Sequence, residues 1–246
     1  MNDKVYIHEF IDIIGHNRAD YMYHMTANFS PIAQEERQQL CYGVWGVVGT
    51  TKRWPEVVNI WEEDGFDGMA TSFRHEFNHA TLQDPKLAKW WARAAQFRSS
   101  GTDRLLVPAP WTRTIDELNA DGVRGETYAH EQIRVPAGRA DDYLDFVRER
   151  SVTVYEKYGW ELAGAWRTAM VDDDECFALW AIPTWEDWAK YEKAQLTDQA
   201  VIDLRNDARP LTSSFHRFLL VDAELSPFRL GRQPSRADRT EEWDES

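Results

Sequence analysis

The sequence predicts an α+β protein built from two tandem ferredoxin-like lobes, each with the element order βαββαβ. Three observations support this prediction. The chain of 246 residues repeats itself in order, and each copy alternates β-branched or aromatic runs with stretches of helical periodicity. The third is that a βαββαβ unit leaves one face of its sheet bare. Two units in one chain can cover each other, so we expect their antiparallel sheets to close into a shared barrel.

The first strand of each copy shows the repeat most clearly. VYIHEFIDI at residues 5–13 corresponds to TYAHEQIRV at residues 127–135. Each run is followed by a glycine-containing turn and then by Arg-Ala-Asp, at residues 18–20 and 139–141. The run of β-branched and aromatic residues predicts a strand, and the turn predicts its end.

The later strands repeat as well. EVVNIW at residues 56–61 corresponds to ECFALW at residues 175–180, and the segment SSGTDRLLV that begins at Ser99 corresponds to SSFHRFLLV. Aligning the second strands on Gly46 and Gly164 makes Trp166 the counterpart of Val48. The matched order of these segments indicates a duplication.

These correspondences set the domain boundaries. The first lobe spans residues 1–111 and the second spans residues 126–225. Residues 112–125, TRTIDELNADGVRG, are polar and contain glycine, which is typical of a linker. Residues 226–246 form a charged tail almost without apolar periodicity, which we expect to be an arm or disordered.

Composition excludes several classes of function. The chain carries 28 Lys and Arg against 42 Asp and Glu, so its net charge of -14 repels nucleic-acid backbones and anionic membranes. It has no apolar run long enough to span a membrane and begins without a secretory leader, so we expect a cytoplasmic protein. Cys41 and Cys176 are too few for a disulfide framework, and we expect both to be buried thiols.

The segment RHEFNHA at residues 74–80 contains the His-Glu-x-x-His pattern of zinc peptidases. On a helix over residues 64–80, His75 and His79 point away from the apolar side. That side, which we expect to face the core, comprises Phe66, Met69, Ala70, Phe73, Phe77 and Ala80. A peptidase also needs a third ligand and a closed cleft, which the sequence does not supply. We therefore predict no catalytic metal, and the alternatives are a solvated face, a subunit interface or adventitious surface metal binding.

The motifs resemble those of the dimeric α+β barrel proteins and, among them, the NIPSNAP-like family. The resemblance rests on the strand-Gly-Arg-Ala-Asp opening, on RWPEVVNIWE and on DPKLAKWWARA, and it covers nearly all of residues 1–225. The superfamily includes cofactor-free monooxygenases, polyketide cyclases, lyases, isomerases and haem-binding members. The resemblance implies a ligand cavity inside a lobe, between sheet and helices and walled by aromatic residues, but it does not specify an activity.

The candidate catalytic residues are His8 and His130, which occupy the same position in the two first strands. Side chains alternate across a strand, so each histidine shares its face with a tyrosine, Tyr6 or Tyr128, and the neighbouring glutamate lies on the other face. A histidine beside an apolar pocket can act as a general acid or base. The structural alternative is that each histidine is a hydrogen-bonded structural residue at the barrel seam.

The candidate substrate-binding residues are aromatic. The chain has 12 Trp, and we expect Trp61, Trp166 and Trp180, with the two tyrosines, to line a pocket for a flat apolar ligand. A tryptophan on a central strand can equally be a core residue. Haem ligation by His8, His130 or His216 is a further alternative, because haem needs one axial histidine and an apolar slot. The acidic run from Asp172 to Glu175 is typical of a solvated hairpin turn.

Together these features favour a small-molecule enzyme without an organic cofactor, of lyase, isomerase, cyclase or oxygenase type. Its substrate is predicted to be largely apolar or aromatic, bound in an aromatic-lined lobe pocket with a histidine as acid or base. The alternatives are a non-catalytic binding or assembly protein and a haem-binding barrel protein. Outward helices leave homo-oligomerisation open, and the sequence does not show which lobe holds the working pocket.

Overall fold

The computed structural model describes residues 1–170 and 173–245, and within them eight antiparallel strands form one closed barrel. The strands are β1 (Val5–Ile13), β2 (Leu40–Val47), β3 (Glu56–Glu63), β4 (Arg98–Pro108), β5 (Thr127–Arg134), β6 (Glu161–Thr168), β7 (Glu175–Ile182) and β8 (Ser214–Asp222). Their order around the barrel is β1-β3-β2-β8-β5-β7-β6-β4. Each lobe contributes four consecutive strands of this order, and β2–β8 and β4–β6 pairing joins the lobes. The predicted intramolecular barrel is confirmed.

The helices follow the repeat. They are α1 (Arg18–Tyr23), α2 (Ser30–Arg37), α3 (Gly65–Phe77), α4 (Ala88–Ala94), α5 (Ile115–Ala120), α6 (Ala140–Phe146), α7 (Val152–Glu156), α8 (Trp185–Ala194), α9 (Gln199–Ala208) and α10 (Pro227–Leu230). A π-helical segment joins α1 to α2, and another joins α6 to α7. Helices α1 to α4 belong to the first lobe and α6 to α9 to the second. No helix in the described ranges is long and apolar enough to cross a membrane.

The barrel wall separates three hydrophobic clusters. One fills the barrel interior with side chains from both lobes, including Tyr6, Phe10, Trp166, Phe177 and Phe218. The other two lie outside the wall, each between the sheet and the helices of one lobe. Because strand side chains alternate, every strand contributes to the interior and to one lobe. The buried thiols of Cys41 and Cys176 lie on the lobe side, as expected.

In the structure, the residues of the second strands, β2 and β6, do not correspond as the alignment of Gly46 with Gly164 predicted. Gly43 pairs with Ile60 of β3, and Gly164 pairs with Leu179 of β7, each beside a bulge. A Cβ atom added at Gly43 would lie 2.1 Å from the ring of Trp45, and one added at Gly164 would lie 2.1 Å from the ring of Trp166. Gly43 is therefore the counterpart of Gly164, and Trp45 is the counterpart of Trp166. The alignment on Gly46 was therefore wrong by three residues, and both copies carry the bulge at the same place.

The segment expected to be a polar linker contains helix α5, which closes one end of the barrel. Ile115 and Leu118 are fully buried in the interior cluster, and Thr114 caps the helix in a reciprocal bond with Glu117. The tail expected to be an arm or disordered also packs, since Phe228 of α10 enters the same cluster. Four scattered apolar residues, Ile115, Leu118, Val123 and Phe228, carry this packing, and periodicity does not detect so few.

Helix α3 differs from the predicted helix in its length and in which side chains it buries. It ends at Phe77, so His79 lies beyond the helix and the His-Glu-x-x-His spacing does not place both imidazoles on one helical face. Met69 and Ser72 are its buried residues, whereas Phe73 is 45% exposed. The predicted core-facing side was therefore right for Met69 and wrong for Phe66, Phe73 and Phe77, which are exposed. His75 is partly buried and contacts Glu36 and Asp84, which corrects the expectation that it faces solvent.

The residues of the acidic run from Asp172 to Glu175 differ in their environment. Asp172 lies outside the described residues, and Asp173 is exposed as expected. Glu175 instead begins β7 inside the barrel end, fully buried, where its Oε2 accepts a hydrogen bond from Arg104 Nε at 2.6 Å. Gln132 donates to the other carboxylate oxygen of Glu175 at 2.9 Å. A buried ion pair therefore replaces the solvated residue that was expected at this position.

Candidate functional site in the first lobe

A cavity of about 450 Å³ lies in the first lobe between the outer face of the sheet and the helices. We call it the first-lobe cavity. Strands β1, β3 and β4 form its floor, and α3 and α4 form its walls. Its aromatic lining comprises Phe29, Trp61, Phe73, Phe77, Trp90 and Trp91. Its volume falls in the range of about 300–1,000 Å³ that is usual for small-molecule sites.

Glu9 of β1 lies on the floor of this cavity. Alternation along the strand directs Glu9 into the lobe, because His8 and Phe10 point into the barrel. One carboxylate oxygen, Oε2, accepts hydrogen bonds from Asn59 Nδ2 and from Trp61 Nε1, each at 2.9 Å. Burial raises the pKa of Glu9 above its ordinary value, and the negative charge of Asp103 raises it further.

Asp103 is the cross-strand neighbour of Glu9, since the two residues pair directly between β1 and β4. Directly opposed residues project from the same face of a sheet, so the two carboxyl groups share the first-lobe cavity. Asp103 is more exposed than Glu9, but desolvation by its surroundings raises its pKa, while Arg98 and Arg104 lower it. Two carboxyl groups that repel each other retain a proton at a higher pH than an isolated carboxylate does. The pair is suited to proton transfer.

The second lobe neutralises the equivalent glutamate. Glu131 pairs across β5 and β8 with Arg217, whose Nη2 and Nε donate to Glu131 Oε1 at 2.6 and 3.0 Å. Arg217 also donates to the hydroxyl of Tyr155 and lines a cavity of about 310 Å³. The two lobes therefore differ at one decisive position. An arginine satisfies the buried carboxylate in the second lobe, where the first lobe has a second carboxylate.

The structure separates the residues that were predicted to line one pocket. Trp61 lies in the first-lobe cavity and is 2% exposed. Trp180 is the equivalent residue of the second lobe, buried against Tyr155 with ring centroids 4.6 Å apart. Tyr6, Tyr128 and Trp166 lie in the barrel interior, not in either lobe. Tyr6 donates to Glu62 Oε2 at 2.9 Å, and its ring packs edge-on against Trp166.

His8 and His130 meet inside the barrel. Their Nε2 atoms are 2.8 Å apart, and His130 Nδ1 lies 3.2 Å from the carbonyl oxygen of Ala178. A carbonyl only accepts, so His130 Nδ1 carries the proton, His130 Nε2 accepts, and His8 Nε2 donates. Their packing against Phe10, Phe177 and Phe218 places them outside the lobe cavities in which they were expected.

The buried histidine pair is neutral. Burial lowers the pKa of His130 to about 3, and nearby Lys52 and Arg104 also lower it. Burial lowers the pKa of His8 well below its usual value, and His130 adds to this effect. The pair therefore resists protonation at physiological pH. Its hydrogen bond joins the first strands of the two lobes across the barrel interior.

The three histidines considered as axial ligands do not fit haem. An iron atom cannot enter between His8 and His130 while their Nε2 atoms are 2.8 Å apart, and the rings are enclosed by phenylalanines. His216 is exposed on β8 with Gln132 as its strand partner. The residues that were proposed to bind haem thus lack an apolar slot beside an available imidazole nitrogen.

The sequence analysis missed the candidate pair Glu9 and Asp103, although the repeat contained a signal. Aligning VYIHEFIDI with TYAHEQIRV equates Glu9 with Glu131, and aligning the last strands equates Asp103 with Arg217. An acid in one copy where the other has a base marks the position at which the lobes diverge. Only the pairing of β1 with β4 shows that these two positions are cross-strand neighbours.

Comparison with known proteins supports the fold. No protein-family model matches the sequence, and no curated protein sequence matches it. An anthrone oxidase-like protein matches the structure with a TM-score of 0.62 and 10% identity, over 90% of this chain and 92% of the other. A candidate monooxygenase from Lactobacillus acidophilus NCFM matches with a TM-score of 0.59 and 10% identity, over 90% and 94% of the two chains.

A NIPSNAP family protein from Agrobacterium tumefaciens also matches, with 19% identity and a TM-score of 0.37, over 43% of this chain and 95% of the other. The two full-length matches show that the chain has the dimeric α+β barrel fold, as the sequence motifs implied. At these identities they establish the fold and not the activity.

Proposed function

We propose that the protein is a small-molecule enzyme that transfers a proton to or from a flat, largely apolar substrate in the first-lobe cavity. Glu9 is the proposed base and Asp103 the neighbouring acid. The observation that carries the proposal is the pair of facing carboxyl groups in an aromatic-lined cavity, in the lobe where aspartate takes the position that arginine has in the second lobe. This revises the earlier hypothesis, in which His8 and His130 supply the acid and base.

The geometry supports a division of roles. Asn59 and Trp61 hold Oε2 of Glu9, which leaves its other carboxylate oxygen for a substrate proton. The aromatic side chains of the walls favour a planar ligand by stacking. A carboxylate with a raised pKa is a stronger base than one in water, so it can remove a proton from a carbon whose anion is conjugated with a carbonyl group.

Anthrone is a suitable probe, because it is a flat aromatic ketone with an acidic methylene group and one structural neighbour is an anthrone oxidase-like protein. We expect the protein to accelerate exchange of the methylene hydrogens with deuterium oxide under anaerobic conditions, as followed by proton NMR. Glu9 takes up the proton and leaves the enolate, and a deuteron returns to the same carbon. Glu9→Gln should lower the exchange rate by about 100-fold or more.

The second lobe provides a matched control. Glu131→Gln removes the equivalent carboxylate, and we expect it to leave the exchange rate within about twofold of the unaltered protein if circular dichroism shows a folded chain. Anthrone binding without accelerated exchange would favour the alternative, a non-catalytic binding protein. An unchanged rate in Glu9→Gln would contradict the proposed role of Glu9.

A further inference from the structure

We propose that Glu36, His75 and Asp84 form a binding site for a divalent transition-metal ion at the rim of the first-lobe cavity. The three residues come from separate segments: Glu36 from α2, His75 from α3, and Asp84 from the N-cap of the short 3₁₀ turn Pro85–Leu87. Their candidate ligand atoms all lie within 4.8 Å of one another. The tertiary fold brings these three segments together.

The geometry of the buried atoms is the second observation. Asp84 is 3% exposed, and its Oδ2 atom lies 2.9 Å from His75 Nε2. Among the described residues neither atom has a partner in hydrogen-bond geometry, although they lie this close. Two ligand atoms that each lie about 2.0–2.1 Å from one metal ion are separated by about 2.9 Å at right angles and by about 3.4 Å in the tetrahedral arrangement usual for zinc. The spacing of this pair fits adjacent ligands of a single ion.

The third ligand lies on the same side. Glu36 Oε2 is 3.6 Å from His75 Nε2, while its other oxygen, Oε1, is 3.4 Å from Lys86 Nζ. Arg37 Nη2 is 3.6 Å from Asp84 Oδ2, but it makes a shorter ion pair of 2.5 Å with Glu76. Lys86 and Arg37 therefore offset only part of the negative charge around the imidazole nitrogen.

The ligand set indicates the class of ion. One imidazole nitrogen with two carboxylate oxygens suits zinc and other first-row transition metals, whereas magnesium and calcium prefer oxygen ligands alone. His79 lies beyond the end of α3 and is not grouped with these three ligand atoms. The site therefore uses the first histidine of His-Glu-x-x-His without the second, a combination that differs from that of a zinc peptidase.

Metal binding would brace one wall of the first-lobe cavity. Arg37 and Glu76, the sequence neighbours of two proposed ligands, line that cavity, and so does Gln83 beside Asp84. An ion held by three segments restrains α2, α3 and the turn relative to one another. The inference is independent of the proposed proton transfer, because Glu9 is not a ligand.

Zinc titration of the full-length, chelator-treated protein tests the proposal. We expect isothermal titration calorimetry to show one ion per chain, with affinity lowered at least tenfold in His75→Ala and in Glu36→Gln. Asp84→Asn should also weaken binding, while asparagine retains the N-cap. Zinc should raise the melting temperature of the unaltered protein but not of His75→Ala, because a ligand stabilises only a state that binds it.

His79→Ala is the matched control and should bind zinc within twofold of the unaltered protein. Equal losses in His79→Ala and His75→Ala would overturn the site and favour a helix-face pair. So would an absence of zinc uptake, or uptake of several ions that none of the variants affects. Circular dichroism checks folding, and the partly exposed Glu36 supplies a variant with little risk to the core. Glu9→Gln should retain zinc binding.

Discussion

At the scale of single residues, equivalent positions of a duplicated chain have taken opposite roles. Glu9 and Glu131 occupy the same place in β1 and β5, yet Asp103 lies opposite one and Arg217 opposite the other. A carboxylate that is paired with arginine is stabilised in its charged form, whereas one beside a second carboxyl group holds its proton more tightly. A single cross-strand neighbour therefore distinguishes a structural ion pair from a candidate acid-base pair.

The histidine pair predicts a loss of stability in acid. The pKa of His130 is about 3 in the folded protein and 6.5 ordinarily, so its stabilising contribution is present above pH 6.5 and is lost as pH falls toward 3. The unaltered protein should lose about 2 kcal/mol from this residue between pH 6.5 and pH 5. The measurement is urea unfolding at both pH values.

The double variant His8→Leu/His130→Leu serves as the control for that prediction, because it removes both imidazoles and should show a smaller loss over the same pH interval. A single His8→Gln or His130→Gln change should destabilise the protein by about 1–3 kcal/mol by disturbing the buried hydrogen bond. The hypothesis that these histidines are catalytic predicts a different result, in which anthrone exchange is lost while the free energy of unfolding is unchanged.

The buried carboxyl group of Glu63 should give the opposite pH dependence of stability. Burial raises its pKa to about 7 from an ordinary value of 4.5, so the stability that it contributes is present below pH 4.5 and is lost as pH rises to 7. Relative to the unaltered protein, Glu63→Gln should therefore gain at most about 3 kcal/mol of unfolding free energy between pH 5 and pH 8. Denaturant unfolding at the two pH values measures this gain.

The neighbouring Asp64 provides the contrast, because it is exposed and pairs with Lys4, which lowers its pKa. Asp64→Asn should show no gain of stability as pH rises. An equal gain in both variants would mean that the effect comes from the net charge of the chain and not from burial of Glu63.

At the scale of elements, the strand bulges decide which side chains enter the barrel. β2 and β6 each shift register beside a glycine, and the tryptophan two residues later folds over that glycine. The absence of a side chain at Gly43 and Gly164 makes this close approach feasible. Sequence alternation predicts strands, but a bulge reverses the face of every residue that follows it.

This packing predicts the effect of adding one methyl group. Gly164→Ala should destabilise the protein by about 1–3 kcal/mol, because its Cβ would overlap the ring of Trp166. Trp166→Phe shortens that ring, so the double variant should lose less than the sum of the two single changes. Thermal unfolding of the four proteins in a double-mutant cycle measures the coupling. If the effects of the two single changes on stability simply add, Gly164 is not required for the packing of the Trp166 ring.

At the scale of the whole molecule, each lobe supplies the cover for the other. The interior cluster contains aromatic side chains from both halves, and β2–β8 and β4–β6 pairing closes the wall between them. A single lobe would expose its barrel face and two unpaired strand edges to water. The lobes are thus duplicated in sequence but are expected to depend on each other for stability.

Expression of the halves tests this dependence. Fragments 1–125 and 126–246 should each aggregate or self-associate when produced alone, because the barrel face stays uncovered. Produced together, they should form a complex with one copy of each and with the circular dichroism spectrum of the intact chain. Cooperative folding of fragment 1–125 as a stable monomer would contradict the prediction.

The sequence by itself determined the repeat, the α+β class and the barrel, because alternation and helical periodicity report which face of each element is apolar. It also placed Trp61 in a lobe and identified the equivalence of His8 and His130. Tertiary structure alone decided that the two histidines bond inside the barrel, that Glu9 meets Asp103, and that His75 meets Glu36 and Asp84. Those contacts join residues far apart in the chain, and local periodicity carries no information about which strand or helix becomes the neighbour.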